Sequence, residues 1–221
     1  MATDIDILRN NDLFSELNDE ELTALAKLTQ TRTFLKNSLI LCEGDTSNAM
    51  YIIQKGKVNI TVTNEDGKEM ILSTLQAGDN FGELSLLDEA PRSANAVALE
   101  KCELIVLHKA EFVQLLTQNS AIALAIIRYL CERVRFLTSL AHGLALLDVY
   151  GRLVKLIQSL AEPNQEGQLV VAIPLTHKDI AMRVGSSREM ISRILSELEK
   201  GGYVSCENKH IKINKKLPSA W

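Results

Sequence analysis

The sequence predicts an α+β protein with an N-terminal antiparallel β-roll, a long central helix and a C-terminal winged helix-turn-helix. Three observations lead to this fold class. Short β-rich runs separated by glycines fill residues 31–107, an apolar heptad pattern follows them, and two helix starts flank a glycine near the C-terminus. The first pattern is typical of an antiparallel barrel or sandwich, the second of a helix pair, and the third of a helix-turn-helix.

The composition is that of a folded soluble protein. Hydrophobic residues make up 46% of the 221 residues and charged residues make up 24%, which is ordinary for a globular chain. No apolar run approaches about 18 residues, and the first residues are acidic rather than a basic leader. We therefore expect a cytoplasmic protein without a membrane partner.

The sequence offers no candidate catalytic or metal site. Its four cysteines are far apart and show no metal-ligand spacing. We interpret them as reduced packing thiols: Cys42, Cys102, Cys131 and Cys206. Because a catalytic triad and a nucleotide-hydrolysing loop are also missing from the pattern, we expect a protein that is not an enzyme.

The net charge of −4 hides a difference between two parts of the chain. Residues 174–221 carry nine Lys and Arg against five Asp and Glu, so the rest of the chain is acidic. A basic C-terminal part on an acidic body is typical of a DNA-reading module attached to a part that does not touch DNA.

Residues 31–107 predict the strands of the β-roll. The β-rich runs are LILCEG, MYIIQKG, VNITVTNEDG, MILSTLQAGD and ANAVALEKCELIVL, and glycines 44, 56, 67 and 78 separate them every 11 or 12 residues. Glu65-Asp66-Gly67 predicts a hairpin turn between two of them. Residues 12–29 place leucines near helical spacing and predict one or two short helices before the strands.

Helical periodicity begins near Lys109 and continues to about Leu144. Within it, apolar residues alternate spacings of four and three over three heptads, namely Ala123, Ile127, Leu130, Val134, Leu137, Ala141 and Leu144. A coiled-coil pair buries such a seam, so the helix over 121–144 predicts a homodimer. One amphipathic helix packed on its own barrel would show a similar pattern, and this alternative stays open.

The chain then changes from the long helix to a second domain. His142-Gly143 predicts the end of the long helix, and Asp148 predicts the N-cap of a new helix, VYGRLVKLIQSLAE. We therefore divide the chain into a β-roll with flanking helices over 1–118, a dimerisation helix and hinge over 119–145, and a winged helix-turn-helix over 146–221.

The segment that begins at residue 175 predicts the helix-turn-helix itself. Thr176 and Asp179 predict a helix start, Gly185 predicts the sharp turn, and Ser186 with Glu189 predicts a capping box that opens the second helix. The buried face of that helix is expected at Ile191, Ile194, Leu195 and Leu198. The segment YVSC-ENKH-IKI predicts a wing hairpin.

The exposed face of the second helix carries residues suited to reading DNA. Ser187, Arg188, Glu189, Ser192 and Arg193 lie near its N-terminus, where a recognition helix points side chains toward base edges. Arginine suits the acceptors of guanine, and glutamate suits the amino donor of cytosine. Glu189 could instead only cap the helix, exposed arginines are usually solvated, and a helix-turn-helix can also bind protein.

An insertion between two strands, residues 80–94, carries a candidate ligand site. Gly82 permits a close backbone approach, while Arg92 and Ser93 supply donors and a hydroxyl suited to a phosphate. Glu83 can accept a hydrogen bond from a ribose hydroxyl. On spacing alone, a structural Glu83–Arg92 ion pair is an equal alternative.

Four segments resemble, in order, the catabolite-activator/fumarate-nitrate regulator family of bacterial transcription factors. They are EDGKEMILSTLQAGD, FGELSLLDEAPRSA, LALLDVYGRL and GSSREMISRIL, and the likeness covers nearly the whole chain. The second segment is similar to the phosphate-binding cassette of cyclic-nucleotide-binding domains. This resemblance implies a cyclic-AMP site formed by Gly82, Glu83, Leu84, Ser85, Arg92 and Ser93.

The resemblance also implies how the base is recognised. Thr138 and Ser139, on the predicted long helix, match the pair that contacts adenine in the family, one residue from each subunit. This match favours cyclic AMP over cyclic GMP as the ligand.

For DNA, the resemblance implies an inverted repeat of TGTGA-like half-sites. Arg188, Glu189 and Arg193 match the base-reading trio, and His177 stands where the family pattern has a phosphate-contacting arginine. The expected DNA-binding residues are Thr176, His177, Ser187, Arg188, Glu189 and Arg193.

We therefore expect a homodimeric, cyclic-AMP-responsive transcription regulator that binds double-stranded DNA and contacts RNA polymerase. One alternative is the same architecture answering another nucleotide or no ligand. The other is a nucleotide-binding regulatory module whose winged helix binds a protein.

Overall fold

The structure, a computed structural model, describes residues 4–46, 48–164 and 166–218. The chain divides into two compact units, one that ends at Arg135 and one that starts at Phe136. Within the described residues, no single helix combines the length and the apolar composition needed to cross a membrane. The two helices on either side of Asn119 meet that test only when taken together, across a bend of 110°.

The β-roll of the first unit consists of two four-stranded antiparallel sheets. In the order of hydrogen-bonded neighbours, one sheet contains β1 (Gln30–Phe34), β8 (Cys102–His108), β3 (Ala49–Lys55) and β6 (Asn80–Phe81). The other contains β2 (Leu39–Leu41), β7 (Asn95–Ala98), β4 (Val58–Thr63) and β5 (Glu69–Leu75). The predicted antiparallel β-roll is therefore confirmed.

The β4–β5 hairpin turns at the predicted Glu65-Asp66-Gly67 sequence. The Asn64 backbone N–H donates to the Lys68 carbonyl at 3.0 Å, and the Asn64 side chain accepts from the Lys68 N–H at 2.8 Å. Gly67 has a φ of +75°, which glycine adopts without strain because it has no Cβ.

Short helices cover one side of the β-roll. They are α1 (Asp4–Arg9), α2 (Asp19–Lys27), α3 (Leu84–Leu87) and α4 (Lys109–Gln118). Helix α2 begins with a capping box between Asn18 and Glu21. Apolar residues from these helices and the turns between them pack with strand residues in one buried cluster, which includes Leu13, Phe14, Leu22, Leu25, Met50, Ile52, Ile105 and Phe112.

The long helix α5 (Ser120–Leu146) continues past its predicted end. The break predicted at His142-Gly143 is wrong, because Gly143 is helical and its carbonyl accepts from the Leu147 N–H at 3.1 Å. One glycine in a helix costs about 1 kcal/mol relative to alanine and does not by itself end the helix. The helical stretch instead bends at Asn119, whose backbone is extended at φ −134° and ψ 103°.

The second unit contains the winged helix-turn-helix. Its elements after α5 are α6 (Val149–Leu160), β9 (Ala161–Pro163), β10 (Leu169–Val171), α7 (His177–Val184), α8 (Arg188–Lys200), β11 (Val204–Glu207) and β12 (His210–Ile213). The strands form one antiparallel sheet in the order β11-β12-β10-β9. The predicted wing is the β11–β12 hairpin, and the C-terminal fold is confirmed.

Two of the three predicted helix caps in this unit are confirmed. Asp148 accepts from the Gly151 N–H at 2.7 Å, and Thr176 with Asp179 forms a capping box. The Ser186–Glu189 capping box is wrong, because Ser187 is the N-cap of α8 and accepts from the Met190 N–H at 3.2 Å.

The cap moves by one residue because the backbone of Ser186 belongs to the end of α7. The Ser186 N–H donates to the Ala181 carbonyl at 3.0 Å, next to Gly185 in the left-handed conformation. Ser187 is thus left with the extended conformation of a cap. Glu189 becomes the second residue of α8 rather than the third, so it is not the reciprocal partner in a capping box.

The cysteines pack only in part as predicted. Cys102 is buried and Cys206 is half-buried, but Cys42 and Cys131 are exposed. The prediction of packing thiols is therefore wrong for these two, since Cys42 follows the short strand β2 and Cys131 lies on an exposed face of α5. In the part of the chain that the structure describes, no group of three or more His, Cys, Asp or Glu could hold a metal ion.

Candidate functional site

Six of the eight predicted ligand-site residues line one cavity in the first unit. They are Gly82, Glu83, Leu84, Ser85, Arg92 and Ser93. Apolar residues from the roll form the other walls, namely Leu41, Ile60, Leu75, Phe81, Ala94 and Ala96. The cavity thus combines apolar surface, the guanidinium groups of Arg92 and Arg133 and the carboxylate of Glu83. This is the chemistry that a nucleotide with a phosphate and a sugar hydroxyl requires.

Arg92 is held inside this cavity, with only 4% of its surface exposed. Its Nη1 donates to the Ser85 hydroxyl at 2.6 Å and to the Gly82 carbonyl, and its Nη2 donates to the carbonyl of Ala49 at the start of β3. Burial lowers the pKa of Arg92, while electrostatic interactions with Tyr51 and Glu83 oppose that shift. The guanidinium is thus a buried, oriented cation at the wall of the cavity.

The close approach predicted for Gly82 is an approach to Arg92. Gly82 has a φ of +84°, and a Cβ at this position would lie 2.8 Å from the Arg92 Nη1. A side chain here would both strain the backbone and displace the guanidinium.

Glu83 is buried to the same degree as Arg92, at 4% exposure, and bonds to other neighbours. The Tyr129 hydroxyl donates to its Oε1 at 3.1 Å, and the Asn80 amide donates to its Oε2 at 3.3 Å. Burial raises the pKa of the Glu83 carboxyl, whereas a backbone hydrogen bond, the Tyr129 and Asn80 hydrogen bonds and the charge of Arg133 lower it. Donors thus surround both oxygens of this carboxylate.

Three polar residues of the cavity were not among the predicted site residues: Asn80, Tyr129 and Arg133. Tyr129 and Arg133 are four residues apart, so they share one face of α5. The heptad pattern drew attention to a different face of this helix. Nothing in the sequence connects Tyr129 with Glu83, which lies 46 residues earlier.

Thr138 and Ser139 lie in an exposed part of α5, in the second unit. Their contact with adenine stays a prediction.

Most of the predicted seam of α5 lies on the surface of the chain, but Ala123 and Leu130 are half-buried, and Leu130 packs against the core of the first unit. Ile127 is 56% exposed and Val134 is 62% exposed, and Leu137 and Leu144 are exposed as well. A different stripe of the helix, with Ile122 and Ile126, packs into the core of the first unit. Packing on the β-roll therefore explains that stripe, and the exposed seam residues are left as an apolar surface.

The second helix of the helix-turn-helix, α8, has two distinct faces. Ile191, Ile194, Leu195 and Leu198 are buried. The predicted DNA-facing residues on the opposite side are exposed: Ser187, Arg188, Glu189, Ser192 and Arg193. At the start of α7, Thr176 and His177 are half-buried, and the Thr176 hydroxyl bonds to Asp179 at 2.5 Å.

Arg152, which the sequence did not single out, holds the turn between α7 and α8. Its Nε donates to the Val184 carbonyl and its Nη1 donates to the Leu147 carbonyl, both at 2.7 Å. These bonds satisfy backbone groups at two helix ends. Arg152 thereby helps to position the start of α8.

Comparisons with known proteins identify two domains and similar full-length proteins. A cyclic nucleotide-binding domain model matches residues 31–119, and a Crp-like helix-turn-helix domain model matches residues 151–216. The cAMP-activated global transcriptional regulator Vfr of Pseudomonas aeruginosa is 34% identical over 187 residues, covering 80% of this chain and 86% of that protein.

Solved structures of two regulators are also similar. The catabolite activator protein of Thermus thermophilus is 31% identical with a TM-score of 0.56, covering 92% of this chain and 94% of that one. The c-di-GMP responsive global regulator CLP of Xanthomonas campestris has a TM-score of 0.77, covering 90% of this chain and 100% of that one. Its sequence identity is 24%, so this likeness shows the fold alone.

Proposed function

Because the chain belongs to the Crp family of cyclic-nucleotide-responsive, DNA-binding transcription regulators, we propose that cyclic AMP is its ligand and that it binds DNA as a homodimer. The observation that carries this proposal is that the buried guanidinium of Arg92 and the buried carboxylate of Glu83 line the same largely apolar cavity. The relative Vfr is named as cAMP-activated, which supports the choice of nucleotide.

The cyclic phosphate is assigned to Arg92 and Ser93. A guanidinium presents parallel N–H donors that match two phosphate oxygens, and the low polarity of the cavity strengthens these bonds. Glu83 accepts the ribose 2′-hydroxyl, since ionised carboxyl oxygens only accept hydrogen bonds. Gly82, Leu84 and Ser85 complete the wall.

Thr138 and Ser139 contact the adenine in this proposal, one from each subunit. A ligand held between the roll of one subunit and α5 of its partner would favour one arrangement of the dimer. This difference in affinity between two arrangements is required, because a ligand that binds both equally shifts neither.

DNA is read by the exposed start of α8 in each subunit. Arg188, Glu189 and Arg193 contact base edges of TGTGA-like half-sites, while Thr176, His177 and Ser187 lie toward the backbone. Two recognition helices of such a dimer enter successive major grooves about 34 Å apart. Contact with RNA polymerase is part of this proposal, as is a cytoplasmic location.

The dimer is expected to form through the α5 seam. Replacing Val134 and Leu137 with lysine together places two charges in the buried interface, and we expect the mass in sedimentation equilibrium to fall from twice 24.5 kDa to 24.5 kDa. Glu132→Lys is the matched control, because Glu132 lies on another face of the helix and is also exposed. A dimeric double variant, or a monomeric wild type, would contradict the assignment of the seam.

The function is tested by calorimetry with a nucleotide panel, followed by a mobility-shift assay. We expect a heat of binding with cyclic AMP and a smaller one with cyclic GMP. We also expect cyclic AMP to increase the affinity for a TGTGA palindrome at least about tenfold. Cyclic di-GMP belongs in the panel because a protein of similar fold responds to it. No heat with cyclic AMP at tens of micromolar would refute the ligand. No shift of any DNA would favour a winged helix that binds protein.

A further inference from the structure

Tyr129 is not one of the residues assigned to contact the nucleotide, but it bonds to Glu83, which is. Its hydroxyl donates to the Glu83 Oε1 at 3.1 Å, from a position on α5. The same side chain lines the cavity, with Arg133 one helical turn further on. The carboxylate assigned to the ribose is therefore bonded directly to the long helix of the same chain.

This bond lies at the end of the anchored part of α5. Ile122, Ala125 and Ile126 are buried, Tyr129 is half-buried, and residues 134–139 are exposed. Tyr129 also packs at the edge of the buried cluster that joins the helices to the β-roll. Packing thus holds the ring, and the hydroxyl is restricted to fewer positions than the hydroxyl of a surface tyrosine.

The other oxygen of Glu83 has a separate support. Asn80 donates to Oε2 at 3.3 Å, and the Asn80 Oδ1 accepts from the buried Asn11 amide at 3.2 Å. Asn11 is itself oriented, because it also donates to the Gly78 carbonyl at 2.8 Å and accepts from the Leu13 N–H at 3.1 Å. One side of the carboxylate is therefore held by a rigid amide chain, and the other side by Tyr129.

Glu83 must meet two physical requirements to select a sugar hydroxyl: it must stay charged, and it must keep one orientation. A buried carboxylate keeps its charge only when donors and cations replace the lost water. The pKa of Glu83 is raised, because burial outweighs the opposing effects of a backbone hydrogen bond, Tyr129, Arg133 and Asn80. A carboxylate that selects a sugar hydroxyl must also be held in one rotamer. Its two oxygens offer four acceptor positions, and the backbone, Tyr129 and Asn80 use three of them, which leaves room for a ligand hydroxyl.

We propose that Tyr129 is a positioning residue for nucleotide selectivity: its hydroxyl orients Glu83 so that the site distinguishes a ribose 2′-hydroxyl from a 2′-deoxyribose. This inference rests on the proposed cyclic-AMP site. It adds a residue of the subunit's own α5 to the recognition of the sugar, separate from Thr138 and Ser139.

Tyr129→Phe tests this role, because it removes the hydroxyl and keeps the packed ring. Calorimetry with cyclic AMP and with 2′-deoxy-cyclic AMP compares the two sugars. We expect the variant to lose about tenfold in affinity for cyclic AMP, the size expected for one hydrogen bond to a charged group, and less than threefold for the deoxy analogue. Selectivity for the 2′-hydroxyl should therefore fall several-fold.

The matched control is Tyr150→Phe, which removes another tyrosine hydroxyl that is bonded, to the Pro218 carbonyl at 2.9 Å. It should leave the selectivity between the two sugars unchanged. Equal losses for both nucleotides in Tyr129→Phe, or no loss for either, would overturn the positioning role. If the wild type binds no cyclic AMP, the proposed function falls and this inference with it. A wild type that selects the ribose, with a variant that selects it equally well, overturns only the role of Tyr129.

Discussion

Arg92→Leu is expected to weaken cyclic-AMP binding at least about 100-fold, because two hydrogen bonds to a charged phosphate contribute about 3 to 6 kcal/mol together. Arg92 is a cation at the wall of the cavity and is 4% exposed, so water cannot replace it as it would at the surface. Calorimetry with cyclic AMP measures the loss. Arg92→Lys should recover part of the affinity, since it restores the charge without the paired donors.

Folding must be separated from binding in this experiment. Arg92 also bonds to Ser85, Gly82 and Ala49, so Arg92→Leu removes contacts that join three segments of the β-roll. Thermal melting without nucleotide reports this loss, and Arg128→Leu is the control because Arg128 is a 69% exposed arginine paired with Glu16. A folded Arg92→Leu variant with the affinity of the wild type would show that the phosphate lies elsewhere.

Arg188→Ala is expected to remove most of the preference for a TGTGA palindrome. One bidentate arginine–guanine contact contributes about 1 to 3 kcal/mol, and two half-sites double it, so specific affinity should fall at least about 30-fold. Binding to random DNA should fall less than about threefold, because backbone contacts rather than this base contact determine it. Mobility shifts with saturating cyclic AMP, on palindromic and random duplexes, measure both quantities.

Lys200→Ala is the matched control on the same helix. Lys200 is an exposed cation at the C-terminal end of α8, where it pairs with Glu197 at 2.7 Å. It should leave the ratio of specific to random binding unchanged. If Arg188→Ala weakens both duplexes equally and lowers the salt dependence, Arg188 contacts a phosphate rather than a base.

The fold was predictable where a local pattern has a local cause. The turn at Glu65-Asp66-Gly67, the cap at Asp148 and the Thr176–Asp179 box each depend on bonds within four residues, and the structure contains all three. The heptad pattern of α5 was readable from the sequence, and the pairing of this seam with a second copy of the chain stays a prediction. The predicted domain limits at 118 and 145 stay predictions.

The errors arose where neighbouring elements compete for the same residues. Ser186 has the composition of a cap, but its N–H is used to close α7, so the cap moved to Ser187. Gly143 has the composition of a helix end, but one glycine does not outweigh the hydrogen bonds on both sides of it. Residue type identifies the candidate helix caps and helix ends, and the hydrogen bonds of the adjoining helices determine which of them is used.

By itself, the sequence determined the order of the three parts, the two-faced helix α8 and the set of residues from Gly82 to Ser93 that belong to one site. Tertiary structure alone decided what surrounds each charge in that site. Arg92 and Glu83 could have formed a simple ion pair on spacing alone, yet Arg92 bonds to oxygens of Ser85, Gly82 and Ala49, while Glu83 bonds to Asn80 and Tyr129. These partners are up to 46 residues apart in the chain, and only the packing of the roll and α5 brings them within hydrogen-bond distance.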